Sequence, residues 1–154
     1  MTVAARNWKH LISVLWISLA VMMSASMLLY LYAGGAEVLD GIRAGVVEGE
    51  EITLTMELMV AAFWLVPLAM AALTLTLPWA WNRWTNVGLG LVMAVMDGMD
   101  AVSHLGGGTF GGEALMVVVM ALVGLLIAWL GLRLPKPQQD ERSEPRPARE
   151  HAHA

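Results

Sequence analysis

The fold is decided by the stretch ALMVVVMALVGLLIAWLGLRL, residues 114–134, in which Arg133 is the one charged side chain. A helix needs roughly 20 apolar residues to cross a hydrocarbon core of about 30 Å, and this stretch has that length without the period-two alternation of a barrel strand. Three further apolar segments lie at about residues 11–32, 52–77 and 85–105. Because only helices or closed barrels satisfy backbone polar groups in lipid, the sequence predicts an all-α fold, an antiparallel four-helix transmembrane bundle.

The composition also indicates that lipid is the solvent. Of the 154 residues, 58% are hydrophobic and 14% are charged, whereas ordinary soluble domains are about 25% charged. The absence of cysteine excludes disulfides, thiolate metal sites and cysteine nucleophiles. There is no broad basic face, so nucleic acid is not an expected partner. The expected partner is the lipid bilayer, and the sequence leaves open a homo-oligomer or an unidentified membrane partner.

The basic residues alternate in step with the four segments. One side of the membrane would receive five basic residues close to the segments: Arg6, Lys9, Arg83, Arg133 and Lys136. The other side would receive Arg43 alone. Because cytoplasmic loops are enriched in Lys and Arg, the pattern predicts a multi-pass protein of a bacterial inner membrane with both termini in the cytoplasm. The first segment, about 22 residues long, exceeds the roughly 7–15 residues of a signal-peptide core and is expected to remain as a helix.

The connections between the segments differ in character. Residues 33–51 form an acidic loop with apolar residues at helical spacing, which predicts a short surface helix, although Gly41 and Gly45 weaken that prediction. The turn at residues 78–84 carries three tryptophans, which we interpret as anchors at the membrane interface, with substrate stacking as the alternative. Residues 106–112 are rich in glycine, which is typical of a flexible or tightly turned loop.

After Leu134 the composition changes abruptly. Residues 135–154 alternate prolines with charged and polar residues, which cannot form a packed core, so a disordered cytoplasmic tail is predicted. Residues 1–134 are then the transmembrane domain. His151 and His153 could contact a metal, but two terminal histidines fix neither ligand count nor geometry, and we assign no metal site there.

Two features of the predicted helices concern their packing. Pro67, near the middle of the second segment, predicts a kink, because proline removes one backbone hydrogen bond and clashes with the preceding turn. A hinge for transport is the alternative interpretation. Small residues allow helices to approach closely, and four glycines are candidates for this role: Gly88, Gly90, Gly124 and Gly131.

The third segment carries the one cluster of polar side chains that we consider a candidate functional site. Asp97, Asp100 and His104 stand at i, i+3 and i+7, which places them on one helix face. Glu57 of the second segment should reach a depth similar to that of His104, so the sequence predicts a Glu57–His104 ion pair. A charge at the bilayer centre costs about 2.5–3.5 kcal/mol on insertion scales, so these groups should face the bundle interior or a water-filled cleft. With three carboxylates and one histidine, at least one carboxylate is expected to be protonated, hydrated or bound to a cation.

Three interpretations of this cluster stay open from the sequence. It is a polar network that pins the second helix to the third, a proton or cation pathway, or a divalent metal site of two carboxylates and an imidazole. The sequence contains no nucleotide-binding glycine loop, serine elbow or zinc-helix histidine pair. The leading hypothesis is therefore a non-enzymatic structural or interaction protein with no catalytic residue, cofactor or metal. The alternative is a small proton- or cation-handling transporter or channel component.

Five short motifs remain: Leu15-Trp16, Tyr30-x-Tyr32, Ile52-Thr53, Pro67-x-x-Met70 and Asn82-Arg83-Trp84-x-Asn86. In these motifs the chain resembles a family of small four-helix bacterial membrane proteins classed as a domain of unknown function. The resemblance spans about residues 11–134. It implies the four-helix membrane topology and a bacterial origin, and it implies no activity and no site residue. Asp97 and Asp100 do not belong to the shared pattern.

Overall fold

The computed structural model of the chain describes residues 3–47, 49–106 and 111–136, with side chains from residue 6 onward. These residues form four α-helices: α1 Val3–Arg43, α2 Leu54–Thr76, α3 Trp79–Gly106 and α4 Gly112–Arg133. A short antiparallel hairpin, β1 Val46–Val47 and β2 Glu50–Glu51, lies between α1 and α2. The all-α fold class is confirmed, and the two-residue strands are an addition to it. The predicted disordered tail from residue 137 onward, with His151 and His153, lies outside the described residues, as do residues 107–110 of the glycine-rich loop.

The helix α1 consists of two helical segments that meet at Gly35. This residue has φ 57° and ψ −142°, a conformation that glycine adopts readily and other residues do not. The chain turns there and continues as a helix to Arg43. A short helix in the predicted acidic loop is therefore present, as the second helical segment of α1. The hairpin that follows has Gly49 in its turn with φ 86°, again in the region that favours glycine.

The four helices run antiparallel, and hydrogen bonds join their ends. Lys9 Nζ of α1 donates to the carbonyl of Leu77 just after α2 (2.7 Å), and Trp79 Nε1 of α3 donates to the carbonyl of Leu134 just after α4 (3.1 Å). Three further basic residues hold their cationic groups within 5.6 Å of tryptophan ring centroids here: Arg83, Arg133 and Lys136. We call this the basic end of the bundle.

The turn between α2 and α3 is shorter than the sequence analysis predicted. Because α2 ends at Thr76 and α3 begins at Trp79, only two residues connect them. The second of these is a proline, which suits a position at the start of a helix. The prediction of a turn that extends to Trp84 is therefore wrong. Trp81 and Trp84 are exposed, as an interfacial anchor requires, whereas Trp79 packs against the core.

The helices α3 and α4 pack backbone against backbone. A Cβ at Gly124 would lie 2.9 Å from both Ala94 N and Gly90 O, and a Cβ at Gly90 would lie 2.9 Å from Ala128 N. The pairs Gly90/Ala94 and Gly124/Ala128 thus form a small-xxx-small contact on each helix. Three of the four glycines predicted to allow close approach do so: Gly90, Gly124 and Gly131. The prediction is wrong for Gly88, where a Cβ would meet nothing within 4 Å.

The helices α1 and α4 are the two central helices of the bundle. The helix α1 packs against α2 and α4, while α3 packs mainly against α4, and α2 and α3 meet little. Ile12, Trp16, Leu19 and Ile127 are fully buried in the core. Pro67 is buried within α2, which continues as one helix across it, so the kink stays a prediction.

Three helices, α1, α2 and α4, are long and apolar enough to cross a membrane. The helix α3 has the length, with 28 residues, but polar residues such as Asp97 and Asp100 lower its hydropathy. Large apolar side chains are exposed on the outside of all four helices. Extended apolar surface of this kind marks contact with lipid or with another protein.

Candidate functional site

A cavity of about 850 Å³ lies at the end of the bundle opposite the basic end. All four helices and the connection between α1 and α2 contribute to its walls. Because α2 and α3 meet little, the space between these two helices stays open. Met23 and Met27 of α1 and Met120 of α4 supply the remaining sides. We call this the acidic end of the bundle, after the four carboxylates described below.

Three of the four predicted site residues line the cavity: Glu57 of α2 and Asp97 and Asp100 of α3. They face a cleft in the bundle, as expected for intramembrane charges. The fourth, His104, is not among the lining residues, and its Nε2 lies 3.6 Å from Asp100 Oδ1, one turn earlier on the same helix. The structure therefore places the three carboxylates in the wall of one cavity and the imidazole outside it.

The predicted Glu57–His104 ion pair is wrong, and the short turn explains why. Glu57 lies 19 residues before Thr76, the end of α2, and the same number of residues leads from Trp79 to Gly98 on α3. Gly98 stands between Asp97 and Asp100. Because α3 begins six residues before its predicted start, the residue at the depth of Glu57 is Gly98, and His104 lies one to two turns beyond it.

Asp97 is the most deeply placed of these residues. It is 3% exposed, and its Oδ2 has no hydrogen-bond partner among the described residues. It belongs to the buried stripe of α3 with Gly90, Met93 and Ala101, so helical periodicity alone directs it inward. A buried polar atom without a partner costs about 1–3 kcal/mol, and more if it is charged. A buried polar atom in a native structure normally has a partner, and the described residues supply none to Asp97 Oδ2.

A fourth carboxylate in the cavity wall was missed by the sequence analysis. Glu113 lies in the first turn of α4 and lines the cavity. The predicted loop ended at residue 112 and the predicted helix began at Ala114, so Glu113 was assigned to neither. Its place could have been found from the preference for acidic residues in the first turn of a helix. The same preference applies to Glu57, which lies in the first turn of α2.

The rest of the wall is almost entirely apolar. None of the described residues that line the cavity carries a positive charge. Six methionines contribute: Met23, Met27, Met56, Met59, Met96 and Met120. Three aromatic residues complete it: Tyr30, Phe63 and Trp64. Glu57 and Asp100 are exposed, whereas Asp97 is buried, so negative charge extends from the surface into an apolar interior.

The side-chain hydrogen bonds that join α2 to α3 lie towards the basic end, not in the cavity. Thr74 Oγ1 donates to Asn86 Oδ1 (3.2 Å), and Asn82 Nδ2 donates to the carbonyl of Thr74 (2.7 Å). Trp16 of α1 adds a third contact, because its Nε1 donates to Asn86 Oδ1 (2.6 Å). We call these four residues, all 0% exposed, the amide network.

The amide network was also missed by the sequence analysis, which placed Asn82 in a cytoplasmic turn. Its signal was nevertheless present, because Trp16, Asn82 and Asn86 belong to two of the motifs that carry the family resemblance. Among the described residues, no hydrogen bond or ion pair joins Glu57 to α3. A polar network does connect α2 with α3, but it is built from amides and a hydroxyl instead of carboxylates.

The described part of the chain contains no group of three or more His, Asp and Glu side chains arranged to hold a metal ion. Asp97, Asp100 and His104 therefore do not converge as the divalent site considered from the sequence. What the arrangement offers chemically is a set of carboxylates at separate positions around an apolar space. Such a set attracts a positive charge without enclosing it in a ligand cage.

Fold and site together define a class: a small all-α protein with membrane-compatible helices and an acidic cavity at one end of the bundle. The chain belongs to the family of unknown function DUF6326, which it matches over residues 3–139. The family resemblance is thereby confirmed, and the match includes all four helices. No curated protein and no solved structure matches the chain significantly.

Proposed function

We propose that this protein is a non-enzymatic, multi-pass protein of a bacterial inner membrane that binds a cation in the cavity at its acidic end. All four helices cross the membrane, and both termini lie in the cytoplasm. The observation that carries the cation site is Asp97, whose buried Oδ2 has no partner among the described residues. Three further carboxylates line the same cavity.

The crossing of α3 is supported by its packing against α4. The two helices are in contact from the basic end, where Trp79 bonds to the carbonyl of Leu134, through the close pair Gly90 and Gly124. A helix of 28 residues is about 42 Å long at 1.5 Å per residue. Because α4 has the length and hydropathy of a membrane span, a helix that lies alongside it occupies the same depth.

The side chains of α3 support the same conclusion. Its buried positions include the polar Asn82, Asn86 and Asp97, whereas Val95 and Val102 are among the large apolar residues on its outside. A helix at the surface of a soluble protein has the opposite arrangement, with polar residues outside. Polar residues turned inward and apolar residues turned outward are expected where lipid surrounds the bundle.

The two ends of the bundle differ in charge, which supports the orientation. The basic end carries Lys9, Arg83, Arg133 and Lys136. The opposite end carries the four carboxylates of the cavity and the exposed acidic hairpin strand Glu50–Glu51. The positive-inside rule then assigns the basic end to the cytoplasm and the cavity to the outer half of the membrane.

The cation site is supported over a purely structural role for the carboxylates. Among the described residues, no hydrogen bond or ion pair of Glu57, Asp97 or Asp100 joins α2 to α3, and the amide network already connects these helices. Carboxylates in an apolar wall destabilise the protein unless something compensates their charge. A bound cation supplies that compensation, which is the reason for preferring it to the structural and interaction hypothesis.

Cation binding is tested on the purified full chain in phosphatidylcholine nanodiscs by thermal unfolding. The conditions cover Na⁺, Mg²⁺, an organic cation and a pH series from mildly acidic to mildly alkaline. A ligand that binds only the folded state at 100 times its Kd stabilises it by about 2.7 kcal/mol. We expect at least one cation or pH step to raise the unfolding temperature of the wild type, and Asp97→Asn to abolish that increase.

Glu50→Gln serves as the control, because Glu50 is exposed on β2 and does not line the cavity. It should respond to every condition as the wild type does. If Asp97→Asn and the wild type respond identically to all cations and to pH, the cation site is refuted. The structural and interaction hypothesis would then be the better account of the family.

A further inference from the structure

We infer that the ligand of this cavity is an amphiphilic organic cation, a molecule with an apolar body and one permanently or readily protonated positive centre. The inference rests on the proposed function and narrows it from cations in general to one chemical class. It excludes a bare metal ion and a proton as the principal ligand. Size, wall chemistry and the distribution of charge support it separately.

The first observation is size. The cavity has a volume of about 850 Å³, which lies within the roughly 300–1,000 Å³ that small-molecule pockets occupy. A metal ion is coordinated at about 2.0–2.6 Å by ligands that converge on it. The described residues contain no such convergent group. The space therefore fits a molecule with many carbon atoms much better than an ion.

The second observation is the wall. Methionines from all four helices and the rings of Phe63 and Trp64 make most of the surface apolar. Methionine side chains are flexible and polarizable, and they adapt to ligands of different shape. Aromatic faces attract quaternary ammonium and related cations, and they do so more strongly when water is excluded. An apolar body with a positive centre satisfies both kinds of surface.

The third observation is the position of the charges. Asp97 is 3% exposed and lines the cavity, and its Oδ2 has no hydrogen-bond partner among the described residues. Glu57 and Asp100 are exposed. A positive centre can be attracted at Glu57 and Asp100 and can then contact Asp97 while the apolar body fills the space beside Met23 and Trp64. A neutral lipid chain would leave Asp97 without a partner.

The experiment uses tetraphenylphosphonium, which carries a permanent positive charge inside an apolar shell. Its binding to the full chain in phosphatidylcholine nanodiscs is measured by equilibrium dialysis, with empty nanodiscs subtracted. Triphenylphosphine oxide, which is neutral and carries three phenyl groups on phosphorus, is the comparison ligand. We expect saturable binding of the cation and none of the oxide. Asp97→Asn should weaken binding at least about tenfold, because it removes the buried negative charge that attracts the cation electrostatically in an apolar surrounding.

Two further variants separate a binding defect from a folding defect. Glu57→Gln changes an exposed carboxylate of the same cavity, so it should fold normally and weaken binding, whereas Glu50→Gln should bind as the wild type does. Binding of the oxide as tight as that of the cation would overturn the inference. Equal binding of the cation to the wild type, Asp97→Asn and Glu57→Gln would also overturn it. A third contrary result would be a phosphatidylcholine molecule, seen by native mass spectrometry, that the cation does not displace.

The failure of this inference is distinguishable from failure of the proposed function. If Na⁺, Mg²⁺ or protons stabilise the wild type but not Asp97→Asn, while tetraphenylphosphonium shows no saturable binding, the cation site stands and the organic class is refuted. If no cation distinguishes the wild type from Asp97→Asn, both are refuted.

Discussion

Asn86 is the side chain at which three helices are joined. Its Oδ1 accepts from Trp16 of α1 and Thr74 of α2, and its Nδ2 donates to the carbonyl of Asn82 (2.7 Å) one turn earlier on α3. Asn82 and Asn86 stand at helical spacing in the sequence, but nothing in the sequence marks Trp16 and Thr74 as their partners. Which faces of α1 and α2 meet α3 depends on the packing of the whole bundle, so the network could not be predicted from local pattern.

We expect the amide network to contribute to the free energy of unfolding. Asn86→Leu keeps the size of the side chain but leaves the Trp16 indole N–H and the Thr74 hydroxyl without their acceptor. An unsatisfied buried polar group costs about 1–3 kcal/mol, and we expect a loss of that order in thermal unfolding in detergent. Ser18→Ala removes only a hydrogen bond to Val14 on the same helix and should change stability by less than about 0.5 kcal/mol. Equal effects of the two variants would contradict this role of Asn86.

At the scale of elements, the start of α3 differs from its prediction in a way that changes the site. Apolar length indicated a helix over residues 85–105, and the structure has it at Trp79–Gly106. The additional residues 79–84 contain three tryptophans and Asn82, which resemble an interfacial loop in composition. They are helical because Asn82 and Asn86 are satisfied by α1 and α2, an effect that local propensity does not include. The helices α2 and α4 follow their apolar lengths closely. The helix α1 extends beyond its apolar stretch at both ends, from Val3 to Arg43.

The contact between α3 and α4 is tested by one glycine and its control. In Gly124→Ala the added Cβ would lie 2.9 Å from backbone atoms of Gly90 and Ala94, so the helices must separate. Overpacking of this kind costs about 1–3 kcal/mol, measured as a lower unfolding temperature in detergent. Gly88→Ala adds the same methyl group where nothing lies within 4 Å and should not destabilise the protein. A neutral Gly124→Ala would show that the backbones are not in contact.

At the scale of the whole bundle, the described residues place basic side chains mainly at one end and carboxylates mainly at the other. The sequence predicted this separation, because charges in loops can be assigned to alternate sides by counting segments. It also predicted that Glu57, Asp97 and Asp100 face a cleft. It could not predict that α2 and α3 stay apart at the acidic end. That spacing follows from the preference of α2 for α1 and of α3 for α4, which only the assembled bundle shows.

The number of crossings is the last prediction, and it depends on α3. If α3 crosses, a periplasm-active reporter fused after Gly106 is active and one fused after Lys136 is silent. If only α1, α2 and α4 cross, α3 lies on the cytoplasmic side and both results are reversed. A fusion after Glu51, between α1 and α2, should be active in either case and controls for insertion of the first helix. We expect the pattern active, active, silent for fusions after Glu51, Gly106 and Lys136, because α3 lies alongside α4, turns apolar side chains outward and ends at the acidic side of the bundle.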